Sequence, residues 1–213
     1  MNKVIGLVGL AGSGKDTVGQ YLVEHCGYTA IAFADPLKDC LCGMFGWDRQ
    51  MMSGRTPESR TWREQVDLWW AERLGIPHFT PRWAMQHIGT DVMRKVFHDQ
   101  LWIINTEKRI LEANGPVVIT DGRFANEIRM MRRLGGLVYR VRRGPEPAWM
   151  DTARAANAGD PFAIQKLNDV HKVHQSEWAW VGEELDGAIR NDGTLEDLYE
   201  RSEALYREAN ANG

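Results

Sequence analysis

The sequence predicts an α/β protein with three layers, built around a five-stranded parallel sheet, and two observations lead to this prediction. Five short apolar runs lie at 4–8, 29–33, 117–121, 137–141 and 187–190, each beside turn or helix signals. Helical patterns separate the runs, which is typical of a doubly wound sheet covered by helices on both faces. Right-handed crossovers then bring the carboxyl ends of the strands to one edge, where we expect ligands to bind.

Composition limits the possible partners and compartments. The chain has 213 residues, 43% of them hydrophobic and 26% charged, as in an ordinary globular protein. Its net charge of −3 gives no overall attraction to nucleic acid or to an anionic membrane, so an anion site must be a local cluster. The odd count of three cysteines, without a CxxC pair, predicts reduced thiols in the cytoplasm. We expect neither a secretion signal nor a membrane span.

Two long intervals interrupt the strand pattern of what we expect to be a single domain over 1–213. The interval 38–115 has helical patterns and no strand signal, which predicts a helical insertion between the second and third strands. The interval 144–184 is polar and contains several prolines and glycines. It is interpreted as a lid, with an ordinary surface loop as the alternative.

The strongest motif is the glycine-rich stretch 9–17, which reads Gly-Leu-Ala-Gly-Ser-Gly-Lys-Asp-Thr directly after the first apolar run. Its GxxxxGK spacing matches a phosphate-binding loop (P-loop) in the required strand–loop–helix context. Glycines let successive N–H groups point at phosphate oxygens, and Lys15 adds a mobile positive charge. The alternative is a glycine-rich turn with a chance lysine. The predicted ATP- and phosphate-binding residues are Gly12, Ser13, Gly14, Lys15, Asp16 and Thr17.

One position departs from the usual motif. Asp16 stands where a serine or threonine is common, and Thr17 follows it. We therefore predict that Thr17 supplies the hydroxyl near Mg²⁺, whereas an acid in a first helical turn is favourable whatever its function.

The third strand run ends in a carboxylate on the ligand edge. Asp121 is predicted to hold Mg²⁺, directly or through water, or to orient the acceptor. Arg123 is predicted to begin a helix, with Glu127 one turn later on the same side. Such a pair is usually a surface feature, but its place beside a strand end favours a functional role.

The segment 82–91 lies within the predicted helical insertion. We expect an apolar helical stripe formed by Met85, Ile88, Val92 and Val96. Arg82, Gln86 and Gly89 lie on a neighbouring face, which suits the rim of a cleft. An arginine can clamp a phosphate and a glutamine can bind a base edge, although a solvated helix flank is an equal alternative.

Further candidates are cationic and aromatic. Arg140, Arg142 and Arg143 lie on and after the fourth run, and Arg143 opens the interval 144–184. Arg143 could swing over the nucleotide and stabilise the charge of the transferred phosphoryl group, with a solvated run of charge as the alternative. Trp102 could stack on a base, although most of the nine tryptophans must serve packing.

Several blocks in order along the chain resemble bacteriophage deoxynucleoside monophosphate kinases. Five of them are Gly-Ser-Gly-Lys-Asp-Thr at 12–17, Phe-Ala-Asp-Pro-Leu-Lys at 33–38, Met-Gln-His-Ile-Gly-Thr-Asp at 85–91, Asp-Gly-Arg-Phe-Ala-Asn-Glu at 121–127 and His-Gln-Ser-Glu at 174–177. The ending Ile-Arg-Asn-Asp-Gly-Thr-Leu-Glu-Asp-Leu at 189–198 also fits. Residues 48–75 match the family poorly.

This resemblance implies a P-loop NTPase fold of the nucleoside-monophosphate-kinase type and an ATP- and Mg²⁺-dependent conversion of dNMP to dNDP. It implies small-molecule nucleotides as partners and is compatible with a homodimer. It implies catalytic roles for Lys15, Asp121, Arg123 and Arg143, and metal ligation by Thr17 and Asp121. The implied dNMP-binding residues are Arg82, Gln86, Gly89, Thr90, Trp102, Asp121, Arg123 and Glu127.

Two other functions remain open at this point. One is a P-loop kinase of another phosphorylated small molecule, such as dephospho-coenzyme A or phosphomevalonate. The other is a nucleotide-binding module that no longer transfers phosphate. Lys15, Thr17, Asp121 and the arginines favour transfer, because repelling phosphates must be neutralised and aligned.

Overall fold

The computed structural model describes residues 3–211. Its five parallel strands form one sheet in the order β2-β3-β1-β4-β5. They are β1 (Val4–Val8), β2 (Thr29–Ala30), β3 (Val117–Ile119), β4 (Leu137–Arg142) and β5 (Gly187–Arg190). The predicted α/β class with a five-stranded parallel sheet is confirmed.

Strand β1 is the centre of the sheet. It pairs with β3 from Val4 opposite Val117 and with β4 from Ile5 opposite Leu137. All five of its residues are buried, as expected for an apolar strand covered on both faces. Because the chain first builds β2 and β3 on one side of β1 and then β4 and β5 on the other, the loop after β1 lies at the topological switch point.

Two strand predictions need correction. The second strand has only two residues, and both are exposed at the edge of the sheet. Ile31 and Phe33 of the predicted run 29–33 are buried, but they lie outside the strand. Strand β3 ends at Ile119, so Asp121 lies beyond the strand end in an irregular segment rather than on the strand.

The helices follow in chain order. They are α1 (Lys15–Cys26), α2 (Asp35–Phe45), α3 (Arg49–Ser53), α4 (Pro57–Glu64), α5 (Leu68–Leu74), α6 (Pro81–Gln86), a π-helix (His87–Phe97), α7 (Leu101–Glu112), α8 (Ala125–Arg133), α9 (Met150–Asn157), α10 (Pro161–Asp169), α11 (Gln175–Trp178) and α12 (Leu195–Ala211). Within residues 3–211, no helix has both the length and the apolar character needed to cross a membrane.

The chain divides into two compact units. The first, called here the sheet unit, comprises the residues up to Ala32 and those from Thr106 onward. Helices α1 and α12 pack with the sheet through a core that includes Leu7, Leu22 and Leu198. Helices α9, α10 and α11 occupy the predicted lid interval, so that stretch is largely helical.

The second unit, Phe33–Asn105, is called here the helical unit. Its short helices α3 to α6 each begin at a side-chain cap, from Asp48, Thr56, Asp67 and Thr80 respectively. Aromatic rings at 45, 47, 62, 70, 79 and 83 contact one another with centroids 4.6 to 6.1 Å apart. Helices this short depend on tertiary packing, and this aromatic cluster supplies it.

The predicted apolar stripe in the helical unit is wrong. Val92 is 38% exposed and Val96 is 79% exposed, whereas Gly89, Thr90 and Arg94 are buried. The stripe assumed 3.6 residues per turn, but the chain from His87 to Phe97 is a π-helix with i→i+5 hydrogen bonds. In this wider helix the buried side is formed by Gly89, Thr90 and Arg94 instead of the apolar residues of the stripe.

Candidate functional site: a phosphate-binding loop and its charged neighbours

Three glycines give the loop after β1 its shape. Gly9, Gly12 and Gly14 have φ values of +138°, +76° and +104°, which L-residues with side chains rarely adopt. A Cβ on Gly9 would also collide with the carbonyl oxygen of Val141, and one on Gly14 with the amide of Asn191. The loop thus curls into the start of α1 through conformations that glycine favours, as the motif predicted.

Lys15 is the buried cation of this loop, with 7% of its surface exposed. Its Nζ donates hydrogen bonds to the carbonyl oxygens of Gly9 (2.8 Å) and Leu10 (2.7 Å). Burial, followed by the nearby charge of Arg123, lowers the pKa of Lys15 to about 8. At neutral pH the side chain therefore remains mostly protonated while lying inside the loop where phosphates would bind.

The charges that act on Lys15 identify its neighbours. Arg123 lowers the pKa of Lys15, and Asp16, Glu177 and Asp121 raise it. These residues come from α1, from the segment after β3 and from α11, and all lie in the sheet unit. Two residues predicted for the acceptor side, Asp121 and Arg123, therefore lie near the lysine of the phosphate loop. Two cations in one place suit a polyphosphate ligand.

Arg123 is fixed by two carboxylates. The backbone N–H groups of Arg123 and Phe124 donate to Oε2 of Glu127 at 2.7 and 3.1 Å, and Glu127 is 2% exposed. The guanidinium Nη1 contacts Oε1 of Glu177 at 2.7 Å. The predicted start of the helix at Arg123 is wrong, because α8 begins at Ala125 and Glu127 caps the N–H groups ahead of it.

The oxygen groups near the loop are those that suit Mg²⁺. Asp16 is exposed, and its Oδ1 accepts a hydrogen bond from Oγ1 of Thr120 at 3.0 Å. Thr17 is half-buried one residue further along α1, and the Asp121 carboxylate acts on Lys15 from the segment after β3. Within residues 3–211 no three His, Cys, Asp or Glu residues gather into a protein-only metal cage. This donor set fits Mg²⁺, which commonly takes one or two protein oxygens together with substrate phosphates.

A cavity of about 130 Å³ adjoins the loop in the sheet unit. It is lined by loop residues 10–13 and by residues 140–146. Arg140 is already engaged, because its Nη2 contacts Glu146 at 2.7 Å and its guanidinium lies 5.0 Å from the Trp180 ring centre. The hydrogen bond from Arg140 also lowers the pKa of Glu146. Neither Arg142 nor Arg143 forms an ion pair within residues 3–211, and of the two only Arg143 is exposed, so its side chain is the more accessible to a ligand.

Two residues of the site were missed or left without a role. Asn191, after β5, donates from Nδ2 to the carbonyl oxygen of Ser13 at 2.9 Å and holds the loop. Glu177 pairs with Arg123. Both stand in blocks that resemble the bacteriophage kinases, at 189–198 and 174–177, and that resemblance is the sequence signal that could have singled them out.

The remaining predicted residues lie in the helical unit. Arg82 and Gln86 are one turn apart on α6, and Arg82 Nε lies 3.3 Å from Glu64. Gly89 and Thr90 are buried in the π-helix, and Trp102 Nε1 donates to the carbonyl oxygen of Gly89 at 2.9 Å. Trp102 is 8% exposed, so in this structure its indole packs within the unit. Its predicted stacking on a base stays a prediction.

A parallel sheet that carries a lysine-bearing glycine loop at its switch point defines a P-loop nucleotide-binding protein. The chain is 30% identical over 154 residues to a deoxynucleotide monophosphate kinase of Acanthamoeba polyphaga mimivirus, covering 66% of this chain and 74% of that protein. It is 26% identical over 188 residues to the deoxynucleoside-5'-monophosphate kinase of Escherichia phage T5, again covering 74% of the relative. The chain belongs to the deoxynucleotide monophosphate kinase family.

Other comparisons are more distant. No family model matches the chain. Among solved structures, TT1252 from Thermus thermophilus has a TM-score of 0.46 at 16% identity, with 97% of each chain covered. Shikimate kinase from Aquifex aeolicus has a TM-score of 0.44 at 14% identity, with 99% of each chain covered.

Proposed function

We propose that the protein transfers the γ-phosphoryl group of ATP to a deoxynucleoside monophosphate and releases ADP and dNDP. The observation that carries this proposal is the gathering of Arg123 and Asp121 around Lys15 of the phosphate loop. A site that only bound ATP would need the loop and its lysine. A second cation and a carboxylate beside that lysine suit a reaction in which two phosphates must meet. Membership in the deoxynucleotide monophosphate kinase family supports the same conclusion.

Each group has a proposed task. Lys15 and the N–H groups of residues 12–17 bind the ATP phosphates, and Lys15 neutralises charge on the β- and γ-phosphates. Arg123 contacts the phosphoryl group that passes between donor and acceptor. Asp121 orients the acceptor rather than taking a proton, because a monophosphate oxygen is already ionised at neutral pH. Arg143, exposed beside the loop cavity, adds positive charge when the nucleotide is bound.

Mg²⁺ is the metal that the oxygen donors of the loop suit, with Thr17 and Asp121 as the proposed protein ligands, either directly or through water. When bound, the ion would neutralise phosphate charge that Lys15 and the arginines leave uncompensated. The Thr17 hydroxyl and the Asp121 carboxylate would keep it beside the loop.

The residues proposed to take part in recognising the monophosphate nucleotide are Arg82, Gln86, Gly89, Thr90, Trp102, Asp121, Arg123 and Glu127. Arg82 would clamp a phosphate, and Gln86, one turn later on α6, would bind a base edge. Glu127 contributes indirectly, because its buried carboxylate holds the backbone of Arg123.

We also propose a cellular compartment and binding partners for this activity. Cys26, Cys40 and Cys42 are free thiols, which supports a reducing cytoplasm. The proposed partners are ATP and dNMP, and sedimentation of the purified chain tests the homodimer that the resemblance allows.

The test is an ATP-consumption assay with purified protein, Mg²⁺ and a panel of dAMP, dCMP, dGMP and dTMP, with dephospho-coenzyme A as the contrasting acceptor. We expect at least one dNMP to give ADP and dNDP in equal amounts. If ATP is consumed with dephospho-coenzyme A and with none of the four dNMPs, the proposed dNMP acceptor is wrong. ATP binding without any turnover would instead identify a module that has lost transfer.

A further inference from the structure

Arg123 is held so that one side of its guanidinium is occupied and the other is open. Nη1 contacts Oε1 of Glu177 at 2.7 Å and lies 3.5 Å from the Ser176 carbonyl oxygen. Nη2 and Nε take no hydrogen-bond partner within residues 3–211 and are not enclosed polar atoms. Two donors on a single edge of a guanidinium match the spacing of two phosphate oxygens.

Glu177 is itself fixed in place. Its backbone N–H donates to the His174 carbonyl oxygen at 2.9 Å, and its carbonyl oxygen accepts from Nε1 of Trp180 at 2.9 Å. The neighbouring Trp178 and Trp180 are 4% and 3% exposed, and Asn157 Nδ2 donates to the Trp178 carbonyl oxygen at 3.1 Å. The carboxylate therefore extends from an anchored backbone, which a residue that orients another side chain requires.

The Arg123–Glu177 pair differs from the Arg129–Glu183 pair, which joins α8 to the segment after α11. Arg129 pairs with Glu183 at 2.9 Å, and Glu183 is 22% exposed, close to Glu177, but the Arg129 side chain is 70% exposed. Arg123 and Glu177 are only 28% and 19% exposed, and both charges act on Lys15. A pair whose arginine is exposed to solvent contributes little to stability, whereas a pair with both partners partly buried at an anion site can direct a donor.

We propose that Glu177 is a positioning residue: its carboxylate holds one edge of the Arg123 guanidinium so that the opposite edge faces the phosphoryl group beside Lys15. This inference rests on the proposed phosphoryl transfer. It differs from an inhibitory contact, in which the carboxylate would only compete with phosphate for Arg123. Removing a mere competitor would raise kcat/KM for dNMP, whereas removing a positioning group lowers kcat.

The first test compares Glu177→Gln with Glu183→Gln, which removes the negative charge from the pair with Arg129 and serves as the matched control. We expect Glu177→Gln to lower kcat about tenfold to a hundredfold, as for misplacement of a catalytic group, with KM for ATP changed less than about threefold. Glu183→Gln should stay within about twofold of the wild type. Thermal unfolding of each variant confirms that the folded protein is being assayed. Equal losses in both variants, or a faster Glu177→Gln enzyme, would overturn the proposal.

The second test is a double-mutant cycle with Arg123→Ala. If Glu177 acts through Arg123, then Glu177→Gln should change kcat by less than about twofold once Arg123 is alanine. A full additional loss in that background would show that Glu177 acts independently of Arg123 and would overturn the proposal. Failure of the underlying function would be seen separately, because the wild-type chain would then show no transfer to any dNMP.

Discussion

The phosphate loop and the helical unit hold their functional groups by different physical means. In the loop the backbone positions the functional groups: glycines at positive φ curl the chain, and the carbonyl oxygens of Gly9 and Leu10 accept hydrogen bonds from Lys15. In the helical unit side chains hold the structure, because they cap the short helices and form a cluster of aromatic rings. Glycines at positive φ leave the loop little conformational freedom, whereas exposed side chains of the short helices, outside the caps and the aromatic cluster, can change without altering the fold.

The two regions also differ in how they treat apolar side chains. The apolar residues of β1, which leads into the loop, are buried, whereas the helical unit exposes Leu68 (78%), Val96 (79%) and Phe97 (68%). Away from β1 the sheet unit also exposes an apolar side chain, Phe162 (80%). A segment with such exposure has fewer buried contacts to resist local opening. We therefore expect substitutions around the loop to affect chemistry and global stability strongly. Substitutions in the helical unit should act on acceptor use, or have little effect.

Lys15→Ala should have the largest effect on activity. Loss of the buried cation removes charge compensation at the phosphates, and we expect kcat to fall by about 10²–10³-fold or more. Folding should persist, because the substitution removes a desolvated charge rather than an apolar contact. Steady-state kinetics and thermal unfolding measure the two effects.

Lys108→Ala, an exposed lysine paired with Glu112 at 3.7 Å, is the control and should be neutral. Near-normal turnover in Lys15→Ala would mean that the loop is not catalytic.

Arg82→Ala tests the helical unit in the same assay. We expect KM for dNMP to rise about tenfold while KM for ATP changes little, because a bidentate phosphate contact is lost on the acceptor alone. Glu64→Gln breaks the 3.3 Å contact to Arg82 but keeps the arginine, so its dNMP kinetics should match the wild type. If both variants raise KM for dNMP equally, the ion pair rather than a phosphate contact explains the effect.

Gly9→Ala measures the strain that the loop imposes. Its Cβ would collide with the Val141 carbonyl oxygen at a φ of +138°, so we expect a loss of about 1–3 kcal/mol in the free energy of unfolding, or more. Gly12→Ala is the matched control, because among the described residues its Cβ would meet nothing within 4 Å. Its cost should be limited to about 1–2 kcal/mol for the left-handed backbone. Denaturant titration gives both free energies of unfolding. Equal losses in the two variants would show that the structure moves to avoid the contact with the Val141 carbonyl oxygen.

Val96→Ala should have the smallest effect. Val96 is 79% exposed on the π-helix, so the change in unfolding free energy should stay within about 0.5 kcal/mol. The control is Val18→Ala, a valine that is fully buried in α1, where we expect a loss of about 2 kcal/mol. If Val96→Ala lowers the free energy of unfolding as much as Val18→Ala does, Val96 must be buried as the apolar stripe predicted.

Features that depend on residues close together in the chain were predicted from the sequence better than features that depend on distant residues. The strand–loop–helix around Lys15 was predicted correctly, because its glycines and apolar run act within a few residues. The burial of the stripe at Met85 to Val96 was not, since the chain there forms i→i+5 bonds and buries Gly89, Thr90 and Arg94 instead. The helix start near Arg123 was placed two residues early, because Glu127 caps N–H groups ahead of the first helical residue.

The amino-acid sequence by itself determined the glycine loop, the buried central strand and the residue types that a phosphoryl-transfer site needs. The order of the strands, and the meeting of Asp121, Arg123 and Glu177 around Lys15, were decided only by the tertiary structure. Asn191 illustrates the reason, since it holds the loop at Ser13 from 178 positions away. Backbone preferences act between neighbours in the chain, but the partner of a distant side chain is fixed only when packing brings the two together.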